Sequence, residues 1–115
     1  MAKERVPRVN NLVQKVLGEI LLREYDFGKH ILITITRVEA TPNLQEARIY
    51  ITVIPEEKQG QILKILSRNV YHIQQELNER LRMRPVPRIK WLIEKGTAQA
   101  QRVEELLEEI KRKEQ

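Results

Sequence analysis

Six basic residues are concentrated within residues 80–95, and side chains of this type at this density can bind phosphate. The stretch carries a formal charge of +5, because a single glutamate accompanies Arg80, Arg82, Arg84, Arg88, Lys90 and Lys95. The whole chain also sums to +5, so the remaining sequence is neutral on balance. Such a cluster raises the local concentration of anions and favours phosphate backbones. A merely solubilising face is the alternative, but solubility does not require this segregation. We therefore predict contact with a polyanion.

The residue types that usually catalyse reactions or hold metals are scarce in this sequence. The chain has one aspartate, Asp26, two histidines far apart, His30 and His72, and no cysteine. Its four glycines form no cluster, so neither a Walker A loop nor a dinucleotide-binding turn is present. Few residues are therefore available to form a positioned base with an orienting partner, or to hold a metal with several ligands. We predict no catalytic residue, metal, cofactor or small-molecule substrate; a buried pair of glutamates is the alternative that stays open.

Length and composition indicate one small domain with a modest core. The 115 residues are 41% hydrophobic and 32% charged, which is too apolar for a disordered chain. No apolar run approaches the roughly 18 to 20 residues that span a bilayer, and the N-terminus lacks the apolar segment of a secretory signal. We expect a cytoplasmic protein without membrane contact, with a single domain over residues 1–115, a core of about residues 8–110 and flexible ends.

The elements that must position the basic residues begin with an amphipathic helix over residues 8–24, where apolar residues recur at helical spacing. Pro7 suits the first turn of this helix, where a missing N–H has no consequence. Gly18 lies inside the helix and costs about 1 kcal/mol relative to alanine. We predict that Gly18 is there because the helix packs closely against a sheet. The helix should end in the turn at residues 25–28, where Gly28 can adopt a left-handed conformation.

Alternating apolar residues predict two strands, over 31–40 and 46–54, which should pair as an antiparallel hairpin. The alternation of the first strand changes phase near Thr36 and Arg37, which predicts a β-bulge there. The turn between the strands contains Pro42 and Asn43, and asparagine tolerates positive φ.

The second half of the chain reads as two helices, a strand and a last helix. Residues 60–82 follow one helical pattern, but Ser67 and Asn69 favour a break into helices over about 60–67 and 70–82. Residues 88–93 alternate as a third strand, in which we expect Trp91 to face the core. Thr97 can cap a final helix whose apolar stripe includes Leu106 and Ile110.

The resulting order, α-β-β-α-α-β plus a C-terminal helix, predicts an α+β protein with helices on one face of a three-stranded sheet. This is the order of the type II K-homology fold, an RNA-binding architecture. The GXXG phosphate clamp usual in that fold is missing here, so generic K-homology binding does not follow.

Five segments in consistent order resemble the ribosome-binding factor A family of bacterial small-subunit assembly factors. They are VNNLVQK at 9–15, ITITRVE at 33–39, LQEARIYITV at 44–53, LRMRPVPRI at 81–89 and RVEELL at 102–107. The family replaces the GXXG clamp with an alanine-x-glycine kink between its two middle helices. This chain departs from that pattern, because Ser67, Arg68 and Asn69 stand at the corresponding positions. The resemblance implies a helix kink at these three residues.

The resemblance also implies a function: a non-catalytic factor that binds the small (30S) ribosomal subunit, assists late maturation of its 16S rRNA and supports growth in the cold. Arginine suits folded RNA because it contacts phosphates bidentately and stacks on bases. The RNA-binding candidates are Arg80, Arg82, Arg84, Arg88 and Lys90, assisted by Arg8, Lys15, Arg37, Arg48 and Arg68. We expect the cations that flank the last strand to converge on one side of the molecule, and the free protein to be monomeric. The alternative is a protein-interaction or dimerisation module that uses the C-terminal helix.

Overall fold

The first helix is longer than its apolar pattern predicts. The computed structural model describes residues 2–95, and α1 spans Ala2–Glu24 instead of beginning at residue 8. Leu17 and Ile20 are fully buried, as the helical spacing of apolar residues requires. The placement of Pro7 in the first turn is wrong: the residue lies inside the helix. Its ring removes one N–H near the helix start, and the residue is exposed to solvent.

The prediction of close packing at Gly18 is also wrong. Gly18 is exposed, and a Cβ atom built on it would meet no other atom within 4 Å. The helix therefore has open space beside this residue, where it was expected to touch the sheet. The turn after α1 does follow expectation, because Gly28 has a φ of 109°.

The hairpin forms as predicted. The strands β1, Leu32–Ala40, and β2, Glu46–Ile54, pair antiparallel, and the register shifts between Ile35 and Arg37, which confirms the bulge.

In the turn between these strands the left-handed residue is Leu44, with a φ of 57°, and not Asn43. The Leu44 side chain is buried, so core packing offsets the strained backbone conformation. Asn43 instead accepts hydrogen bonds at Oδ1 from the Thr41 hydroxyl and the Gln45 N–H.

The predicted break between the middle helices is confirmed. After a 3-10 turn at Glu56–Lys58, α2 spans Gln59–Arg68 and α3 spans Val70–Arg80. Asn69 separates them with a φ of −101°, and its Nδ2 donates to the Ile65 carbonyl at 2.8 Å. The side chain thus satisfies a carbonyl at the end of α2 while the chain changes direction.

The last described strand completes a three-stranded sheet. The strand β3, Arg88–Ile93, pairs parallel to β2, and the strand order is β1-β2-β3. Ile49, Ile51 and Trp91 are buried beneath the helices, which confirms the core position of the tryptophan. Because strand side chains alternate, the residues between them point to the opposite face of the sheet, on which none of the helices described in residues 2–95 packs. We call this the open face.

The predicted C-terminal helix, with Thr97 and its apolar stripe, lies outside the described residues 2–95. Within that range, no helix combines the length and the apolar character that a membrane crossing demands.

Candidate nucleic-acid interface

Three of the predicted cations lie together on the open face. Arg48 of β2 and Lys90 of β3 are register partners, and Arg88 stands two residues before Lys90 on the same side of the strand. Neighbouring strands lie about 4.8 Å apart, so these side chains share one small area. All three are exposed, and none makes an ion pair with another residue of the described part of the chain. We call Arg48, Arg88 and Lys90 the open-face cluster.

The segment between α3 and β3 carries two more exposed cations, Arg82 and Arg84. Its ends are fixed by the buried side chains of Leu81 and Pro87. Four residues of extended chain span at most about 14 Å, so Arg84 cannot lie far from Arg88. These arginines therefore extend the positive charge from the open-face cluster towards the end of α3.

Gln74 holds this segment in place, although it was not among the residues predicted from the sequence. Its Nε2 donates to the Pro87 carbonyl at 3.0 Å, and its Oε1 accepts from the Ile89 N–H at 2.8 Å. One amide thus satisfies two backbone groups at the start of β3. A glutamine between the apolar residues of α3 gives no local indication of this role, because its partners lie 13 and 15 residues away.

Arg37 lies on the open face but its charge is already matched by carboxylates. Its guanidinium pairs with Glu39, and its Nε donates to Glu94 Oε1 at 2.8 Å. The hydrogen bond that Arg37 donates to the Glu94 carboxylate is the main reason why the pKa of Arg37 is raised. Arg37 is thus a structural cation that links strands, which the charge pattern alone did not show.

Arg80 is engaged in a similar way at the other side of the sheet. Its guanidinium lies 3.4 Å from Glu19 of α1 and 3.4 Å from Glu76 of α3. Arg80 therefore joins the two helices, and its charge is not presented alone to a ligand.

The remaining candidates, Arg8, Lys15 and Arg68, are exposed on helices, away from the open face. Asn10 Oδ1 accepts from the N–H of Ala40, the last residue of β1, at 2.8 Å. This places Asn10 at the end of the sheet where β2 and β3 begin. Arg8 is two residues before Asn10 and therefore lies near the same end. These three assisting cations thus lie apart from the open-face cluster. Sequence proximity brought Arg82, Arg84, Arg88 and Lys90 together, and the sheet register added Arg48.

A groove of about 490 Å³ runs between α3 and the start of β3. Arg88 lines one side, and the amides of Gln74, Gln75 and Asn78 line the other. Tyr71, which is 74% exposed, also lines this groove and was not among the sequence candidates. Tyr71 lies off the apolar stripe of α3, and this is the sequence feature that could have indicated an exposed aromatic ring. Aromatic rings and amides beside cations can stack on bases and bind their edges.

The carboxylates offer no metal site within the described range 2–95, where no group of three or more potential ligands comes together. Glu24 and Glu76 form a pair of neighbouring carboxyl groups. The hydrogen bond with Glu24, followed by burial, raises the pKa of Glu76, while Arg80 opposes this change. Glu24 is exposed, so this pair is not the buried glutamate pair that a catalytic site would need.

Several known proteins resemble this chain in structure. A crystal structure of ribosome-binding factor A from Thermus thermophilus aligns with a TM-score of 0.69 at 22% identity, over 80% of this chain and 98% of the other. A solution structure of a putative ribosome binding factor A from Thermotoga maritima aligns with a TM-score of 0.66 at 28% identity, over 82% and 91% of the two chains. These similarities confirm the K-homology-like α+β fold.

A third structure concerns a complex. It is a homology model of the Thermus thermophilus ribosome binding factor A fitted into a cryo-EM map of a 30S complex, with a TM-score of 0.60 at 25% identity, over 72% of this chain and 88% of the other.

Sequence comparison agrees with these structures. Ribosome-binding factor A of Bdellovibrio bacteriovorus is 27% identical over 107 residues, which cover 92% of this chain and 80% of that protein. The sequence profile described as ribosome-binding factor A matches residues 5–107, most of the chain and all three strands. On this match, the chain belongs to the ribosome-binding factor A family.

Proposed function

We propose that this chain binds the small ribosomal subunit by contacting its 16S rRNA, and that it assists late maturation of that RNA without catalysing a reaction. The observation that carries the proposal is the open-face cluster. Its three cations lie beside Arg82 and Arg84 and make no ion pair among residues 5–95. Two carboxylates, Glu39 and Glu46, are register partners of cluster residues but are not within ion-pair distance of them. Cations presented in this way can replace the counterions of an RNA backbone.

The related protein fitted into a map of a 30S complex supports the choice of partner. That complex contains the Thermus thermophilus protein, and the similarity of that protein to this chain makes the small subunit the first ligand to test. We propose a monomeric free state, because the open face and the groove beside α3 of one chain suffice for this binding. We also propose a cytoplasmic location, because the proposed partner is a ribosomal subunit.

The groove beside α3 extends the proposed RNA contact beyond the cations. Arg88 lies both in the open-face cluster and on the wall of the groove. A phosphate held by Arg88 would place the adjoining nucleotide at the groove, within reach of Tyr71 and the α3 amides. Unpaired bases are recognised by stacking and by hydrogen bonds to their edges. We therefore propose that the ligand is folded rRNA with an unpaired segment.

Binding alone can assist maturation. A protein that prefers one of two RNA arrangements shifts their populations by its difference in affinity for the two, without consuming a nucleotide. This mechanism requires a rigid binding surface, which the sheet and the Gln74 bridge provide.

The test replaces Arg82, Arg84 and Arg88 together by glutamate and measures co-sedimentation with immature small subunits over a range of salt concentrations. We expect at least about tenfold weaker binding, and a salt slope lower by about two to three, because each phosphate contact contributes about 0.7 to 0.9. Circular dichroism should show an unchanged fold, since all three side chains are exposed.

The matched control replaces Lys29, Lys58 and Lys64 by glutamate. These three are also exposed, and the change in net charge is the same. The control should retain most of the affinity. If both triple variants lose affinity equally, net charge determines binding and the proposed interface is wrong.

A further inference from the structure

The open face changes from charged to apolar along its length. Beyond the row of Arg48 and Lys90, towards the ends of β2 and β3, it carries Ile54 and Leu92, and Leu32 is the register partner of Ile54 on β1. Leu32 is 58% exposed, Ile54 is 46% exposed and Leu92 is half-buried. An outward sheet face is usually polar, so apolar residues at one end of it favour a cover. We call Leu32, Ile54 and Leu92 the apolar end of the open face.

Arg37 crosses the open face between these residues, but it does not prevent a cover. Its guanidinium is paired with Glu39, donates to Glu94 and stacks on the Tyr50 ring. A segment packed over Arg37 would therefore cover a charge whose partners are already in place, and not an isolated one.

The chain leaves the described range at the apolar end. The Glu94 N–H donates to the Ile51 carbonyl at 2.8 Å, so the chain stays bonded to β2 just beyond the last residue of β3. Lys95 follows, level with the end of β2, because the two strands are parallel. Gly96 is next, and glycine permits the chain to reverse its direction. Residues 96–115, which lie outside the described range, therefore start beside the apolar end.

The sequence of this terminal segment matches the open face in polarity and in charge. The helix that Thr97 is predicted to cap has an apolar stripe formed by Val103, Leu106, Leu107 and Ile110. Residues 103–110 also contain four glutamates and no basic residue. An isolated helix of about 15 residues is marginal in water, so it needs a surface that buries its stripe. The open face offers apolar surface beside three cations of opposite sign.

We propose that residues 98–110 pack as a helix across the open face of the same chain, antiparallel to β3, with the stripe on the apolar end and the glutamates beside the open-face cluster. Lys90 is five residues before Lys95, about 17 Å along an extended strand. A helix covers that length in about 11 residues. A helix that starts after Thr97 therefore brings Glu108 and Glu109 level with Lys90.

The stripe falls at the level of the apolar end. Leu92 is three residues before Lys95, about 10 Å along β3. A helix reaches that level after about seven residues, between Val103 and Leu106. The first turn of the helix then lies next to Ile54, so the stripe and the apolar end run side by side.

Charge selects the open face over the groove between Gly18 and β1. This groove of about 490 Å³ also has apolar walls, which include Leu21 and Leu22. Among its described lining residues the charged one is Asp26, whose carboxylate repels the glutamates of residues 103–110. The groove also lies at the β1 edge of the sheet, whereas the chain leaves the sheet from β3 at the opposite edge.

The short connection favours the same chain over a second copy. Only Gly96 and Thr97 join Lys95 to the predicted helix. A short link gives the attached segment an effective concentration of about millimolar. The corresponding segment of another molecule, present at a lower concentration, is therefore outcompeted.

Amide NMR of the full chain tests the docking. Leu106→Ser with Leu107→Ser removes half of the stripe without changing charge, and Gln101→Ser with Gln115→Ser is the matched control off the stripe. We expect the first variant to shift the amides of the apolar end, because their cover is lost, and the control to leave them in place. Urea denaturation should show that the described domain remains folded in both variants.

A second pair of variants tests whether the glutamates compete with a polyanion for the open-face cluster; the competition rests on the proposed function, whereas the docking does not. Glu108→Gln with Glu109→Gln removes two carboxylates of the segment, and Glu56→Gln with Glu57→Gln removes two exposed ones after β2. We expect the first pair to bind small subunits at least about threefold more tightly than the control, which changes net charge equally. If no variant binds small subunits, the proposed function fails, and the NMR result still decides the docking.

Three outcomes would overturn the proposal. The first is an unchanged set of apolar-end amides in Leu106→Ser with Leu107→Ser. The second is a larger shift at Gly18 and Ile33 than at the apolar end, which would place the segment in the groove. The third is a dimer, seen by sedimentation, that the same serine variant dissociates, because the cover would then belong to a second copy. Equal affinities of the two glutamine variants would refute the competition.

Discussion

The guanidinium carbon of Arg37 lies 3.8 Å from the centroid of the Tyr50 ring. Arg37 belongs to β1 and Tyr50 to β2, and the same guanidinium reaches Glu94, directly after β3. One side chain therefore crosses the open face and contacts residues at all three strands. The stacked ring and the paired carboxylates hold Arg37 in place, next to the row that contains Arg48 and Lys90.

Replacing Arg37 and Arg48 singly by alanine should separate structural from ligand-binding cations. We expect Arg37→Ala to lower Tm, because it removes the contacts with Tyr50 and Glu94, and to leave the salt slope of RNA binding unchanged. We expect Arg48→Ala to keep Tm and to lower that slope by about 0.7 to 0.9, the value for one phosphate contact. Calorimetry and salt titration measure the two quantities, and each variant is the control for the other. An equal loss of slope in both variants would show that Arg37 also contacts phosphate.

Removing the Gln74 amide should weaken RNA binding although no charge changes. Gln74→Ala leaves the Ile89 N–H and the Pro87 carbonyl without their partner. We expect the free energy of unfolding to fall by about 2 kcal/mol, because each unsatisfied buried group costs about 1 to 3 kcal/mol and water can reach one of them. Urea denaturation measures this loss.

The same variant should bind small subunits less tightly, with an unchanged salt slope, because its cations remain but the 82–88 segment is less fixed. Gln75→Ala is the matched control, since Gln75 is exposed and makes no side-chain hydrogen bond within the described residues. A Gln74→Ala variant with normal stability and weak binding would instead indicate direct contact between this amide and RNA.

The Glu24–Glu76 pair predicts a pH-dependent stability. The pKa of Glu76 is raised by its hydrogen bond with Glu24 and by burial, so the folded state holds this proton more tightly than the unfolded state. The stabilisation is complete below the unfolded pKa and is lost as the pH rises through the raised folded pKa. We expect Glu76→Gln to be more stable than the parent at pH 7, by about 0.5 kcal/mol or less because the side chain is partly solvated, and equal to it near pH 4.

Urea denaturation at the two pH values measures this difference. Glu79→Gln on the same helix is the control, because Glu79 is exposed and makes none of these contacts. If Glu76→Gln is less stable than the parent at pH 7, the ion pair with Arg80 outweighs the repulsion from Glu24.

Features set by local sequence were predictable. The strands, the bulge at Thr36 and the break at Asn69 depend on apolar periodicity and on backbone preferences of a few neighbouring residues, and the structure has all of them. The concentration of arginines before β3 was equally visible, since it lies within one stretch of chain. Five segments in register identified the family, which the comparisons confirm.

Whether a given arginine or lysine is paired with a carboxylate depends on tertiary contacts, and no local sequence pattern contains these. Arg37 and Glu94 are 57 residues apart, and Arg80 and Glu19 are 61 apart, so only the packed sheet and helices brought these opposite charges together. Gly18 shows the same limit, because its sequence position suggested tight packing, whereas the direction of α1 relative to β1 left a groove there. Short-range preferences fix which elements form, but the charge that a surface presents depends on which elements meet, and that is decided when the core packs.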